Sequence, residues 1–147
     1  MVRILVGVTA FIVSCNALAA PKLITCTETN VVKSKAGEVG ESIHKWSAVL
    51  DTDDFKKENP EFEWTLLQRD EFGEQVSGQP VGNSYRYNYE VTPTTISLRH
   101  CGMFIDGACS MPSLGMNFMT TTHISRSDLS IDNGSCTIED YAVKNVI

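Results

Sequence analysis

From residue 20 onward, apolar and polar side chains alternate in short runs with a period of two, the pattern of half-buried β-strands. The clearest run is Tyr85-Arg86-Tyr87-Asn88-Tyr89-Glu90-Val91, in which every second side chain is aromatic or apolar. A turn at Thr92-Pro93-Thr94 leads into residues 95–100, with Ile96 and Leu98 on one face, so this stretch predicts an antiparallel hairpin. Residues 43–50 place Ile43 and Val49 on one face and Trp46, Ala48 and Leu50 on the other. Residues 62–69 bring Phe62, Trp64 and Leu66 together. The β-branched content of residues 23–30 predicts the first strand, and residues 116–125 and 128–131 give two more. Asp132-Asn133-Gly134 predicts a two-residue hairpin turn, because Asn-Gly tolerates positive φ at both positions, and residues 135–139 complete that hairpin.

The intervening segments carry breaker residues. Residues 31–42, with Gly37 and Gly40 among Lys and Glu, predict a loop or a long hairpin turn. In residues 51–60, Asp53 is placed to cap a single helical turn that stops before Pro60. Residues 70–84, with Gly73, Gly78, Pro80 and Gly82, predict a long polar connection of the kind that is often functional. The tail of residues 140–147 either pairs at a sheet edge or packs on the body of the domain. Seven or eight short strands at this spacing make the chain mainly β: a small single-domain antiparallel β-barrel or β-sandwich.

The first nineteen residues differ in kind. Arg3 is followed by an apolar run from Ile4 to Val13, then Ser14-Cys15-Asn16 and Ala17-Leu18-Ala19. A basic start, an apolar stretch too short for a bilayer and a small-x-small site predict an export signal cut before Ala20. Residues 20–147 then form one β-rich exported domain of 128 residues, enough for a single core. Ile12-Val13-Ser14-Cys15 also resembles the lipobox of bacterial lipoproteins, in which the cysteine is lipidated and becomes the new N-terminus. Simple secretion, to the periplasm or the exterior, is the favoured reading; lipid anchoring at Cys15 is the alternative, and the only one that brings the protein to a membrane. No second run approaches the ~20 apolar residues of a membrane helix.

Export changes the meaning of Cys26, Cys101, Cys109 and Cys136, which in an oxidising compartment become disulfides. Four cysteines allow three full pairings. The favoured one joins Cys101 to Cys109 around a turn-rich loop containing Gly102, Asp106 and Gly107, and joins Cys26 to Cys136, the first mature strand to the last. That second bond favours a barrel over a sandwich. Zinc would need closer cysteine spacings than this chain has.

The chain has 12 basic and 18 acidic residues; losing Arg3 with the signal leaves 11 against 18, a net charge of −7. Repulsion of phosphate backbones argues against nucleic-acid binding.

Catalytic patterns are missing. His44, His100 and His123 fall in predicted strands with no H-x-H or H-x-x-x-H, and the chain has no G-x-S-x-G. The densest acidic stretch, Asp51 to Glu63, opens like a calcium loop, but Lys56 stands at the glycine position and Phe62 at the distal glutamate. His100, Met103, Met111, Met116 and Met119 form a soft-ligand set whose thioethers and imidazole would suit copper(I), although methionines also fill irregular cores. Tyr85, Tyr87 and Tyr89 form one stripe, either the inward face of a barrel or a ligand-facing surface.

The predicted architecture, a small exported β-barrel with a terminal disulfide, resembles that of the calycins, the lipocalins among them. The resemblance is architectural: lipocalins carry G-x-W in their first strand, whereas Trp46 here follows His44-Lys45. It transfers no ligand residues. The functional expectation is a non-enzymatic binding or interaction module of the bacterial envelope or exterior, requiring no cofactor, whose partner is a small apolar ligand or a protein. The alternatives are a small exported hydrolase and a soft-metal binding protein.

Overall fold

The computed structural model describes residues 20–53, 55, 58 and 60–141. The predicted export signal, Cys15, most of the predicted helical turn after Asp53 and the last six residues lie outside the described residues.

The described chain is almost entirely antiparallel β. Its strands are β1 (Lys22–Lys33), β2 (Val39–Leu50), β3 (Glu61–Glu71), β4 (Glu74–Gln75), β5 (Ser84–Val91), β6 (Thr95–Cys101), β7 (Ser110–Met111), β8 (Met116–Asn117), β9 (Met119–Ser125), β10 (Ser130–Ile131) and β11 (Gly134–Asp140). One sheet runs β10-β11-β1-β2-β3-β5-β6-β9, with β4 pairing off β3; β7 and β8 form a separate small ribbon. The sheet curls until β9 and β10 approach each other, joined by a tight turn in which Leu129 N–H donates to the Ser125 carbonyl at 2.9 Å. The result is a nearly closed barrel-like sheet with a seam beside β9.

Period-two alternation decides which side chains face inward. On β2, Trp46, Ala48 and Leu50 are buried; on β3, Phe62, Trp64 and Leu66; on β6, Ile96 and Leu98; on β9, Ile124. Trp46 and Trp64, both fully buried, form the centre of this core with Phe104 and the Tyr85–Tyr89 stripe around them. Tyr89 meets the Phe62 ring edge-on at 6.0 Å. Trp64 meets Tyr87 at 6.0 Å. The interior is therefore a packed aromatic core through most of its length.

Both disulfides of the favoured pairing are present. Cys26 and Cys136 lie directly opposite each other across β1 and β11, 110 residues apart in sequence, so the bond clamps adjacent strands. Cys101–Cys109 closes a short loop of separation 8. Its tip, Asp106-Gly107, has positive φ at both positions (50° and 77°), the backbone a tight reversal needs.

Three segments differ from expectation. Residues 31–42 are mostly strand: β1 and β2 stay paired to Lys33↔Val39, and the reversal is confined to residues 34–38, with Gly37 at φ 85°. Residues 70–84 hold a second hairpin, in which Glu71↔Glu74 flank Phe72-Gly73 at φ 54° and 78°. In the last hairpin, Ile131 pairs with Gly134, so Asp132-Asn133 forms the turn, with Asn133 alone at positive φ (58°). Gly134 serves close approach instead: a Cβ there would lie 2.1 Å from the Thr27 carbonyl oxygen.

Candidate functional site

One row of inward positions breaks the apolar pattern. On β1, the inward series Ile24, Cys26 continues to Glu28 and Asn30. On β2, the series Leu50, Ala48, Trp46 continues to His44, which is directly opposite Glu28. On β3, the neighbour of His44 is Arg69.

Arg69 reaches that row through a β-bulge. Trp46 pairs with Leu66, but Lys45 pairs with Gln68, so Leu67 is an extra residue on β3. Up to Leu66 the even-numbered residues face inward. Past the bulge the phase inverts: Arg69 pairs with inward His44, while Gln68 and Asp70 pair with outward Lys45 and Ile43. Gln68 and Asp70 then hydrogen-bond to each other at 2.6 Å on the outer face.

Glu28, His44 and Arg69 form one wall of a polar cleft of about 340 Å³ at the seam. His100, Gly102 and Thr120–His123 form the facing wall, with Asn30, Asp132 and Asn133 at the rim. The cleft is thus built by β1, β2, β3, β6 and β9 with the β10–β11 turn.

His100 forms the cleft's inner end. It is 1% exposed, lies over Trp64 at 5.3 Å nearly parallel, and meets Trp46 at 4.9 Å. Its Nδ1 is 3.0 Å from the Cys101 carbonyl and its Nε2 is 2.8 Å from the Thr122 hydroxyl. Only a donor can face a carbonyl, so Nδ1 carries the proton and Nε2 accepts from Thr122. Burial, aided by nearby His44 and opposed by the Cys101 carbonyl and Glu28, pushes the His100 pKa down to about 4. His100 is therefore neutral at physiological pH.

Glu28 behaves oppositely. Burial alone would raise its pKa, but His44, with Nδ1 3.6 Å away, Trp46 and His100 hold it below the usual carboxylate range. The Trp46 indole N–H contributes to this while completing no hydrogen bond of good geometry, and the Trp64 N–H has no partner either. Arg69 makes one long hydrogen bond, to the Gly102 carbonyl at 3.4 Å, and pairs with no carboxylate among the described residues.

The residues singled out in the sequence are distributed as follows. Tyr85, Tyr87 and Tyr89 face the core, Tyr89 buried and the other two half-buried against it. His123 is exposed at the edge of the cleft, its Nδ1 2.8 Å from the Ser97 hydroxyl. Met111 and Met116 are opposite each other on the β7–β8 ribbon; Met103 and Met116 are exposed, and Met119 packs against the core. His100 lies inside the barrel with both ring nitrogens engaged, which leaves no lone pair free for a metal. Among the described residues, no group of three or more His, Cys, Asp or Glu side chains is arranged to hold a metal ion.

Sequence reasoning passed over Glu28, Arg69, Asn30 and the Thr120–Thr122 run. Glu28 had a signal, a charge in the apolar phase of a strand. Arg69 had none, because the bulge that turns it inward has no sequence signature here. The chain matches no protein-family model, no curated protein and no solved structure at a significant level.

Proposed function

We propose that the protein is an exported, non-enzymatic binding module of the bacterial envelope or exterior, and that the seam cleft receives its ligand. The observation that carries this reading is the cleft itself. The barrel is filled by aromatic side chains, and at its seam converging polar groups line a cleft open to solvent and of ligand size. The packed core gives an apolar ligand little interior space, so the reading moves from an apolar to a polar ligand or partner group.

Two disulfides fit an oxidising compartment outside the cytoplasm. Export by residues 1–19, with release before Ala20 or anchoring at Cys15, completes the proposal. Intact mass of the protein from its native host separates the two routes: a chain starting at Ala20 diffuses, one starting at acylated Cys15 is held at a membrane.

The hydrolase reading has one specific observation in its favour, the Thr122 hydroxyl held on His100 Nε2. Burial that lowers His100 to about 4 makes it a weak base at neutral pH, and its other nitrogen rests on a carbonyl instead of a carboxylate. Chromogenic carboxyl ester, phosphoester and glycoside substrates test the choice. The expected result is no turnover above the blank. Turnover abolished by His44→Gln or His100→Gln would overturn the binding-module reading.

A further inference from the structure

Resting on the reading of the seam cleft as a binding site, we infer that its ligand presents a small organic carboxylate, seated on the guanidinium of Arg69. The first ground is the bulge at Leu67. Regular pairing would have kept Gln68 and Asp70 in the inward phase and put Arg69 outside in water. The extra residue reverses this and turns a permanently charged side chain into the barrel wall. Bringing a guanidinium into partial burial is unfavourable without a counter-charge.

The second ground is that, among the described residues, no carboxylate forms an ion pair with Arg69. Of the two carboxylates lining the cleft, Glu28 is engaged by His44 and Trp46, and Asp132 lies exposed on the rim turn. Arg69 has five N–H donors, of which the structure uses one, in a single long bond to Gly102. Arg69 therefore keeps free donors at the cleft for an anionic group of a ligand.

The third ground selects the anion. A guanidinium fork matches a carboxylate or a phosphate equally well in shape. Charge separates them. Glu28 and Asp132 share the cleft, and the chain as a whole is acidic, with a formal net charge of −6. A doubly charged phosphate meets that repulsion twice over. A single carboxylate keeps the bidentate contact and halves the cost. Thr120 and Thr122 hydroxyls and the Asn30 and Asn133 amides lie along the remaining walls, suited to a polar remainder.

Backbone amide NMR of the oxidised protein tests this, with acetate, inorganic phosphate and acetamide as probes at constant ionic strength. Acetate should shift the amides of Gly102, Thr120, Thr121 and Asn133 saturably, and bind more tightly than phosphate or acetamide. Arg69→Gln should weaken acetate by ~10-fold or more, the worth of a charge-assisted bidentate contact. Arg69→Lys, which keeps the charge and loses the fork, should fall between. Asp132→Asn, an exposed turn substitution, should tighten acetate ~2-fold by removing a like charge. It tests the same point if Arg69→Gln does not fold. Acetamide shifting these amides as strongly as acetate would overturn the charge inference, and tighter phosphate binding would overturn the carboxylate class. No shift with acetate, or acetate affinity unchanged by Arg69→Gln or unchanged or lowered by Asp132→Asn, would overturn the inference. None of these results touches the binding-module reading, which falls only to catalytic turnover.

Discussion

Acidification should unfold this protein through His100, and the structure sets both the window and the size. The imidazole is 1% exposed between Trp46 and Trp64. Its pKa is about 4 in the fold against 6.5 in an exposed chain. Between those values the unfolded chain binds a proton that the folded chain does not, so stability rises with pH across the window. The contribution is complete above pH 6.5, is lost as pH falls toward 4, and changes little below. A drop from 6.5 to about 4, at ~1.4 kcal/mol per unit, amounts to about 3 kcal/mol. That is a large share of a domain's usual ~5–15 kcal/mol. Glu28 adds a loss of the same sign lower down, because its folded pKa lies below its unfolded value.

The perturbation that isolates His100 is His100→Gln, which retains hydrogen-bonding groups but cannot titrate. Urea unfolding followed by tryptophan fluorescence, with both disulfides oxidised, reads the difference directly. At neutral pH the variant should be the less stable protein, having lost the ring stacked on Trp64. From pH 7 to 4 the parent should lose about 3 kcal/mol more than the variant. At ordinary urea sensitivity this is a midpoint shift of ~1–3 M. Parallel pH dependences for the two proteins would refute the reasoning: either the site opens to water far more readily than its burial implies, or His100 takes up its proton without leaving the fold.

Two further predictions concern the frame that holds the cleft. Replacing Cys26 and Cys136 by serine should cost more than replacing Cys101 and Cys109, because the first bond spans 110 residues and the second 8. The chain-entropy account gives ~5 against ~2.5 kcal/mol, and urea unfolding of the two double variants showing the reverse order would contradict it. Gly134→Ala should cost ~2 kcal/mol or more, since its Cβ would meet backbone, the Thr27 carbonyl at 2.1 Å. Gly40→Ala should cost ~1 kcal/mol or less, since what its Cβ meets at 2.2 Å is the ring of exposed Phe72, which can swing away. Equal shifts in thermal midpoint for the two alanine variants would show that the close approach at Gly134 relaxes.

Much of the barrel was legible because period-two alternation reports burial directly. Trp46, Ala48 and Leu50, and Phe62, Trp64 and Leu66, face inward in the phase their spacing predicts. The disulfide Cys26–Cys136 was legible for a related reason: both cysteines lie on an inward phase of strands that closure makes neighbours. The β1–β2 and β3–β4 hairpin arms were not, because most of their side chains are polar and Val31 and Val39 among them are exposed, so no burial periodicity marks them. Gly134 shows a subtler loss. An Asn-Gly pair signals a turn by its φ preferences, but here the glycine is required by a neighbouring strand, and contacts between strands leave no local trace.

The cleft divides along the same line. Glu28 could have been found by extending β1's inward series Ile24, Cys26 by two residues and asking why a charge occurs there. Arg69 could not. Extending Phe62, Trp64, Leu66 by two arrives at Gln68, and by four at Asp70, a neutral and an acidic group where the barrel in fact has a cation. One inserted residue, Leu67, reverses the sign of the wall, and nothing in the local sequence marks the insertion because the bulge is a property of the β2–β3 pair. The phase error and the missed site are therefore a single event. A ligand chosen by charge would be misassigned by any reading that carried the alternation straight through Leu67. Deleting that residue removes the bulge but leaves Gln68 opposite Lys45 and Arg69 opposite His44, so Arg69 should stay in the cleft wall and acetate binding should survive in the folded variant; its loss there would contradict the assignment of Leu67 as the extra residue.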